Sequence, residues 1–372
     1  MVNNFTIKKI DIIFFTVAAF AVLGVFSIGN YNILPAANAI ELITLSLVLL
    51  FSKKISKGNL TISASLMILF FTLLTIGHLN GANLIDSAIA SKFIFMLSIL
   101  ALSANLGSRF RPTSTNLLRL IFFLFGIKYI SWYILPVMPG FHSDRPGLFM
   151  ENNFELIFFI ALFVFLCLND VKYKLIYTIT SIVVFLLSGS KSGIVTFFAI
   201  FPFVFFNQKP YRFFYYLICT FFLLLFFDDL SQKIIVSDRA FFFVQFVESV
   251  KDWGVSDWFF GSKFITPLPS SACQALSFYE QLFSRSGSGQ CYSVILHSFW
   301  LRIIYDFGLT GVLFVFFVFF SILKTNSYGH IERNSLLVTM VLNGLSVSSF
   351  NSIFMVLSFF ILARERRNEK HS

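Results

Sequence analysis

Apolar runs close to 20 residues long recur along almost the whole chain, and short charged or turn-forming segments separate them. Wound as an α-helix, a run of that length matches the roughly 30 Å hydrocarbon core of a bilayer. The runs fall at about 10–28, 33–51, 60–78, 88–105, 117–135 and 154–168. A hairpin pair around the 188–193 turn follows, then runs at 213–227 and about 300–323. The last stretch, 336–362, is too long for one span and short for two, and reads as a tight hairpin turning near 346–351. This pattern predicts an all-α, polytopic membrane protein of about twelve transmembrane helices. Composition agrees: 12% of the residues are charged, about half the share of a soluble domain, and the mean hydropathy is +0.82. The 54 phenylalanines suit lipid-facing surface and carry no inference about aromatic binding.

The net charge of +10 raises nucleic acid as a partner, but its placement answers the question. Most of the 28 Lys and Arg residues lie in or beside alternate loops, among them Lys53, Lys54, Lys57, Arg109, Arg111, Lys209, Arg212 and Arg364. That is the asymmetry of cytoplasmic loops. It predicts both termini in the cytoplasm and leaves nothing for nucleic acid to explain. The first run has no small-residue cleavage site after it and is expected to be a retained helix. Three segments then face outward: 136–153, 188–193 and a long loop from Asp228 to about Trp300. The chain divides into nine spans over 1–227, a large outer loop over 228–299, and C-terminal spans with a cytoplasmic tail over 300–372. Cys167 and Cys219 fall within spans, whereas Cys273 and Cys291 share the outer loop, where an oxidising compartment favours a disulfide between them.

No glycine-rich phosphate loop, nucleophile elbow or zinc spacing occurs. Chemistry must come from a few polar side chains at the outer face, where charge near lipid is costly and usually functional. The long loop holds seven acids against five bases from Asp228 to Leu296, so a broad positive patch is excluded. Single cations at span ends, namely Arg145, Lys191, Arg239 and Arg302, suit a compact anion. Arg offers paired hydrogen bonds to phosphate and Lys a point charge. Arg239 follows Asp238, an N-cap residue type, so the helix start adds its own attraction for an anion. The alternative for each cation is an interfacial side chain reaching for water, and it weighs most on Lys233, Lys251 and Lys263. His142 and His297 are the histidines expected on this face.

Four segments stand out along the outward-facing parts of the chain. They are Arg145-Pro146-Gly147-Leu148-Phe149-Met150-Glu151-Asn152, then Leu187-Ser188-Gly189-Ser190-Lys191-Ser192-Gly193, and Asp238-Arg239 with Phe260-Gly261 about twenty residues later. The fourth is His297-Ser298-Phe299-Trp300-Leu301 with Asp306-Phe307-Gly308-Leu309-Thr310-Gly311. In their order and their sides of the membrane these segments resemble the O-antigen polymerase and ligase superfamily of bacterial envelopes. Lys191 stands where the family usually has Arg, Ser298 where it has Asn, and Asn152 where Pro is common. The first segment resembles the polymerase branch more closely.

The resemblance implies a metal-independent glycosyltransferase without cofactor in the bacterial inner membrane. Its donor is an undecaprenyl-diphosphate-linked oligosaccharide, and it extends O-antigen or a related surface polysaccharide at the periplasmic face. A chain-length regulator is an optional partner. On this reading Arg239, Arg145 and Lys191, with Arg302 behind them, stabilise the departing diphosphate. His297 takes the proton from the acceptor hydroxyl, since imidazole changes charge near neutral pH, and Glu151 is the second candidate for that role. A ligase passing the glycan to lipid A-core is the alternative. A flippase for the same lipid-linked glycan is a third reading, although no repeat relates the two halves.

Overall fold

The computed structural model describes residues 9–27, 32–51, 55–103, 112–134, 145–150, 152–206, 210–217, 238–325 and 328–363. Among them the regular structure is helical throughout, with no strand. Helices preceding the long loop include α1 (Lys9–Phe26), α2 (Ala36–Phe51), α3 (Lys57–Leu79), α4 (Leu84–Ser103), α5 (Pro112–Ile134), α6 (Asn152–Asn169), α7 (Lys174–Leu187) and α8 (Lys191–Phe205), and residues 210–217 are helical as well. The loop carries α9 (Asp238–Val250), α10 (Val255–Phe260) and α11 (Ser270–Ala275). After it come α12 (Phe299–Thr325), α13 (His330–Gly344) and α14 (Ile353–Leu362).

Among the described residues four helical stretches are long and apolar enough to cross a membrane singly: Lys57–Leu79, Leu84–Leu102, Thr115–Ile134 and Phe299–Thr325. α6 and α7 meet the same test together, bent by 116° at a break, which makes up to five if the bent pair is one span. The other apolar runs wind into shorter helices. α14 has ten residues, about 15 Å of helix, so it reaches only half-way through a roughly 30 Å core. The expected hairpin at 336–362 is thus a helix, a polar break and a buried half-helix. The expected run at 213–227 lies largely outside the described residues.

Packing follows from which helices are apolar all round. From Leu156 to Cys167 every α6 residue is buried, the mark of a helix enclosed by others, and α5, α7, α8, α13 and α14 pack about it. Polar side chains end α6 and set its bend. Asn169 Nδ2 donates back to the Phe165 carbonyl at 2.8 Å, and Asp170 pairs with Arg119 of α5 at 2.7 Å while accepting from the Tyr177 hydroxyl. Such local side-chain bonds compete with the helical ladder. At the other end of α6, buried Glu155 accepts the backbone N–H groups of Leu148, Phe149 and Met150 and the Tyr129 hydroxyl. This one carboxylate folds the 145–150 segment against the helix start.

The loop segment from Asp238 to Ser298 is itself folded. Phe242, Phe246, Val250, Leu268, Ala272, Leu276 and Ile295 form a small separate core with Cys291. Cys273 and Cys291 are joined by a disulfide, their Cα atoms 5.7 Å apart. Cys167 is buried and free, and Cys219 lies outside the described residues.

Candidate functional site

A cavity of about 340 Å³ opens where the loop segment meets the helix ends. Met150 and Phe154 line it beside the start of α6, and its polar walls come from five other parts of the chain. α2 supplies Asn38 and Glu41, α4 supplies Asp86 and Lys92, and the loop supplies Arg285, Tyr292 and His297. α12 supplies Arg302, and the break between α13 and α14 supplies Ser348, Asn351 and Ser352.

Arg302 is the most deeply buried cation of this site, 4% exposed on the first turns of α12. Its Nη1 donates to Ser348 Oγ at 2.8 Å, and Nη2 approaches the Ile89 and Ala90 carbonyls at 3.4 and 3.5 Å. Nε has no partner among the described residues. Ser348 Oγ in turn donates to the His297 carbonyl at 2.9 Å. One serine from the α13–α14 break therefore fixes Arg302 and His297 relative to each other. Four residues beyond Arg302, buried Asp306 accepts from Ser293 Oγ at 2.6 Å, and the two charges attract. Trp300 Nε1 donating to the Val341 carbonyl, and Ser298 Oγ to that of Gly344, anchor the start of α12 on α13.

His297 has φ +55° and ψ −31°, a conformation that non-glycine residues rarely hold without tertiary restraint. The restraint is visible: Ser348 grips its carbonyl, and the ring packs between Phe242 and Tyr279 at 5.0 and 5.6 Å between centroids. Also lining the cavity, Lys92 and Glu41 form an ion pair at 2.8 Å. Asp86 holds the loop, accepting from Ser284 Oγ at 2.6 Å and from the Arg285 N–H at 3.0 Å. That clamp brings the Arg285 side chain to the cavity. Burial, and then the neighbouring Asp86 carboxylate, push the Tyr292 phenol above its ordinary pKa. The phenol stays protonated and donates to Gln290 Oε1 at 2.9 Å.

The residues singled out in the sequence separate into four groups. His297 and Arg302 line the cavity. Arg145 and Lys191 lie elsewhere: Arg145 is exposed against Gly189, its Cγ and Nε 3.9 Å from where a Cβ would stand. Lys191 opens α8 beside that turn, which Ser190 ties to Asn153 of α6 at 2.8 Å. Arg239, half-buried on the first turn of α9, does not line the cavity, although Phe242 one turn on touches His297. Glu151 and His142 lie outside the described residues. Glu41, Asp86, Lys92, Arg285 and Ser348 were not assigned to the site from the sequence. The available signal was charge within apolar runs, Glu41 and Lys92 above all.

Chemically the cavity offers cations (Arg302, Lys92, Arg285), carboxylates (Glu41, Asp86), a restrained histidine and hydroxyls, beside the N-terminus of α14, whose N–H groups favour an anion. This set suits a ligand that is part anion and part polyol. Among the described residues no three His, Cys, Asp or Glu side chains gather as metal ligands. Comparison with protein families, with curated proteins and with solved structures found no match for this chain.

Proposed function

We propose that this chain is a polymerase of O-antigen, or of a related bacterial surface polysaccharide, working on an undecaprenyl-diphosphate-linked donor. It crosses the inner membrane about twelve times with both termini in the cytoplasm, and the cavity faces the periplasm. The observation that carries the reading is the Arg302–Ser348–His297 linkage at the cavity, in which one hydroxyl bonds both a buried guanidinium and the backbone carbonyl of His297. It adds to the resemblance of the four segments.

In the reaction the imidazole of His297 takes the proton of an acceptor sugar hydroxyl. The oxygen then attacks the anomeric carbon of the donor, and the bond from that carbon to the diphosphate breaks. The electron pair leaves with undecaprenyl diphosphate, where negative charge gathers in the transition state. Arg302 meets that charge, aided by Arg285 and the start of α14, and a cation already in place lowers the barrier most. Of the four cations expected to grip the diphosphate, Arg302 takes first place because it lines the cavity. Arg239, Arg145 and Lys191 hold outlying positions suited to the rest of a long lipid-linked glycan.

The test is extension of a lipid-linked repeat in vitro by the parent, His297→Ala and Glu151→Gln. His297→Ala should slow turnover by about a hundredfold or more, the usual scale for losing a general base, with donor binding retained. Extension at the parent rate would transfer the role to Glu151, provided Glu151→Gln is then the inactive variant. If both variants extend normally, the mechanism fails. In cells, a deletion strain should carry one repeat unit on the lipopolysaccharide core. Bare core would mean a ligase, and loss of export a flippase.

A further inference from the structure

The short helix α10 presents to its surroundings a face that water does not suit. Of its six residues, Val255, Phe259 and Phe260 are 76%, 49% and 69% exposed, and Trp258 is 39% exposed. Its one carboxylate is occupied, since Asp257 accepts the Gly254 N–H at 2.9 Å. A mobile loop could fold such residues away, but this helix is locked in place.

The lock is a backbone-to-backbone contact at two glycines. Gly261 and Gly308 both hold positive φ, and a Cβ on Gly308 would stand 2.4 Å from the Phe259 carbonyl carbon. A Cβ on Gly261 would stand 2.5 Å from the Phe307 nitrogen. Thr310 Oγ1 donates to the Phe259 carbonyl at 2.9 Å, and the Ser262 N–H donates to that of Tyr305 at 2.8 Å. α10 is therefore held level with the kink of α12 at Gly308.

That level is defined along α12. From Leu309 to Lys324 the helix runs about 24 Å at 1.5 Å per residue, close to the hydrocarbon thickness of a bilayer. On this stretch Leu309, Leu313, Phe317 and Phe320 form one exposed apolar stripe, the surface a spanning helix shows to lipid. The stripe begins where α10 docks, so the exposed face of α10 continues it. Trp253 packs edge-on to Trp258 at 5.4 Å and against Tyr305 at 5.8 Å, and Trp and Tyr concentrate at membrane–water interfaces.

We propose that α10 is an interfacial anchor: it lies in the headgroup layer of the leaflet at that end of α12, with Trp258, Phe259 and Phe260 inserted among bulk phospholipids. The inference rests on α12 spanning the membrane and is independent of the reaction proposed above. Its consequence is that the folded loop segment is held down on the bilayer beside the cavity.

The test places the full chain in phosphatidylcholine nanodiscs whose acyl chains carry bromine near the headgroup or deeper. The difference between parent and Trp258→Phe isolates the emission of Trp258, and Leu313→Trp reports on α12. Trp258 should be quenched most by the shallow bromines and be shielded from aqueous iodide, and the new tryptophan at 313 should be quenched by the deeper ones. If position 313 is quenched while iodide reaches Trp258 and bromine does not, α10 lies in water and the proposal is wrong. If neither quencher reaches Trp258, protein covers the face and the proposal is equally wrong. An unquenched position 313 would remove the span and the anchor together, leaving the cavity chemistry untouched.

Discussion

Replacing Arg302 by Met keeps most of the side-chain volume and removes the charge, so it isolates what the guanidinium does. The hydrogen bond to Ser348 is charge-assisted and short, a class worth about 1.5–3 kcal/mol. The two contacts to the Ile89 and Ala90 carbonyls are long and add little. The larger loss falls on Asp306, 3% exposed, which keeps Ser293 but loses the positive charge that offsets it. Breaking a buried pair by removing one partner costs about 3–5 kcal/mol. The lower end applies here, because the two side chains interact without direct contact and the desolvation of the guanidinium is recovered. Arg302→Met should therefore destabilise the protein by about 3 kcal/mol. Arg302→Met with Asp306→Asn leaves no unpaired charge and an amide that still accepts from Ser293, and should recover about 2 kcal/mol of that loss. Reversible unfolding in mixed micelles of parent, both single variants and the double variant closes the cycle. Glycan extension should be lost in every variant lacking Arg302, however stable. A double variant less stable than Arg302→Met alone would refute the electrostatic reasoning, and full extension by the double variant would remove Arg302 from the reaction.

Gly308→Ala should displace α10, since the new methyl meets the Phe259 carbonyl and adopts a conformation costing about 1–3 kcal/mol. Gly287→Ala, at φ +70° with open space around it, should cost only about 1–2 kcal/mol, and equal unfolding midpoints would contradict the contrast. Cys273→Ser opens a loop with a sequence separation of 18, a loss of about 3 kcal/mol in the chain-entropy picture. It should appear as faster proteolysis within 274–290, and unchanged cleavage there would count against it. Asp86→Ala frees Ser284 and the Arg285 N–H, so trypsin should cut after Arg285 sooner and extension should fall several-fold. An unchanged cleavage rate would show that the clamp does not hold the loop.

The helical, apolar character of the chain was legible residue by residue, because hydropathy and helix length are local quantities. The same holds for the turns at 188–193 and 346–351, where polar residues interrupt apolar runs, and for His297 and Arg302, set at the boundary of one. Pairing of Cys273 with Cys291 was legible for a similar reason, as two cysteines shared a single polar segment. Span number was harder to read: apolarity marks a run as lipid-compatible but does not say that its helix continues, and α14 stops after ten residues. The cavity itself was not legible. Arg302 meets the Ile89 carbonyl across 213 positions of chain, and Asp86 meets Arg285 across 199. Nothing local to either partner specifies the other. Their meeting depends on how α2, α4 and α12 pack, and packing is decided by side-chain fit summed over whole helix faces. Sequence determined which residues could bear charge at the end of an apolar helix. Tertiary structure decided which of them share a site, because a buried charge persists only where distant parts of the chain bring it partners.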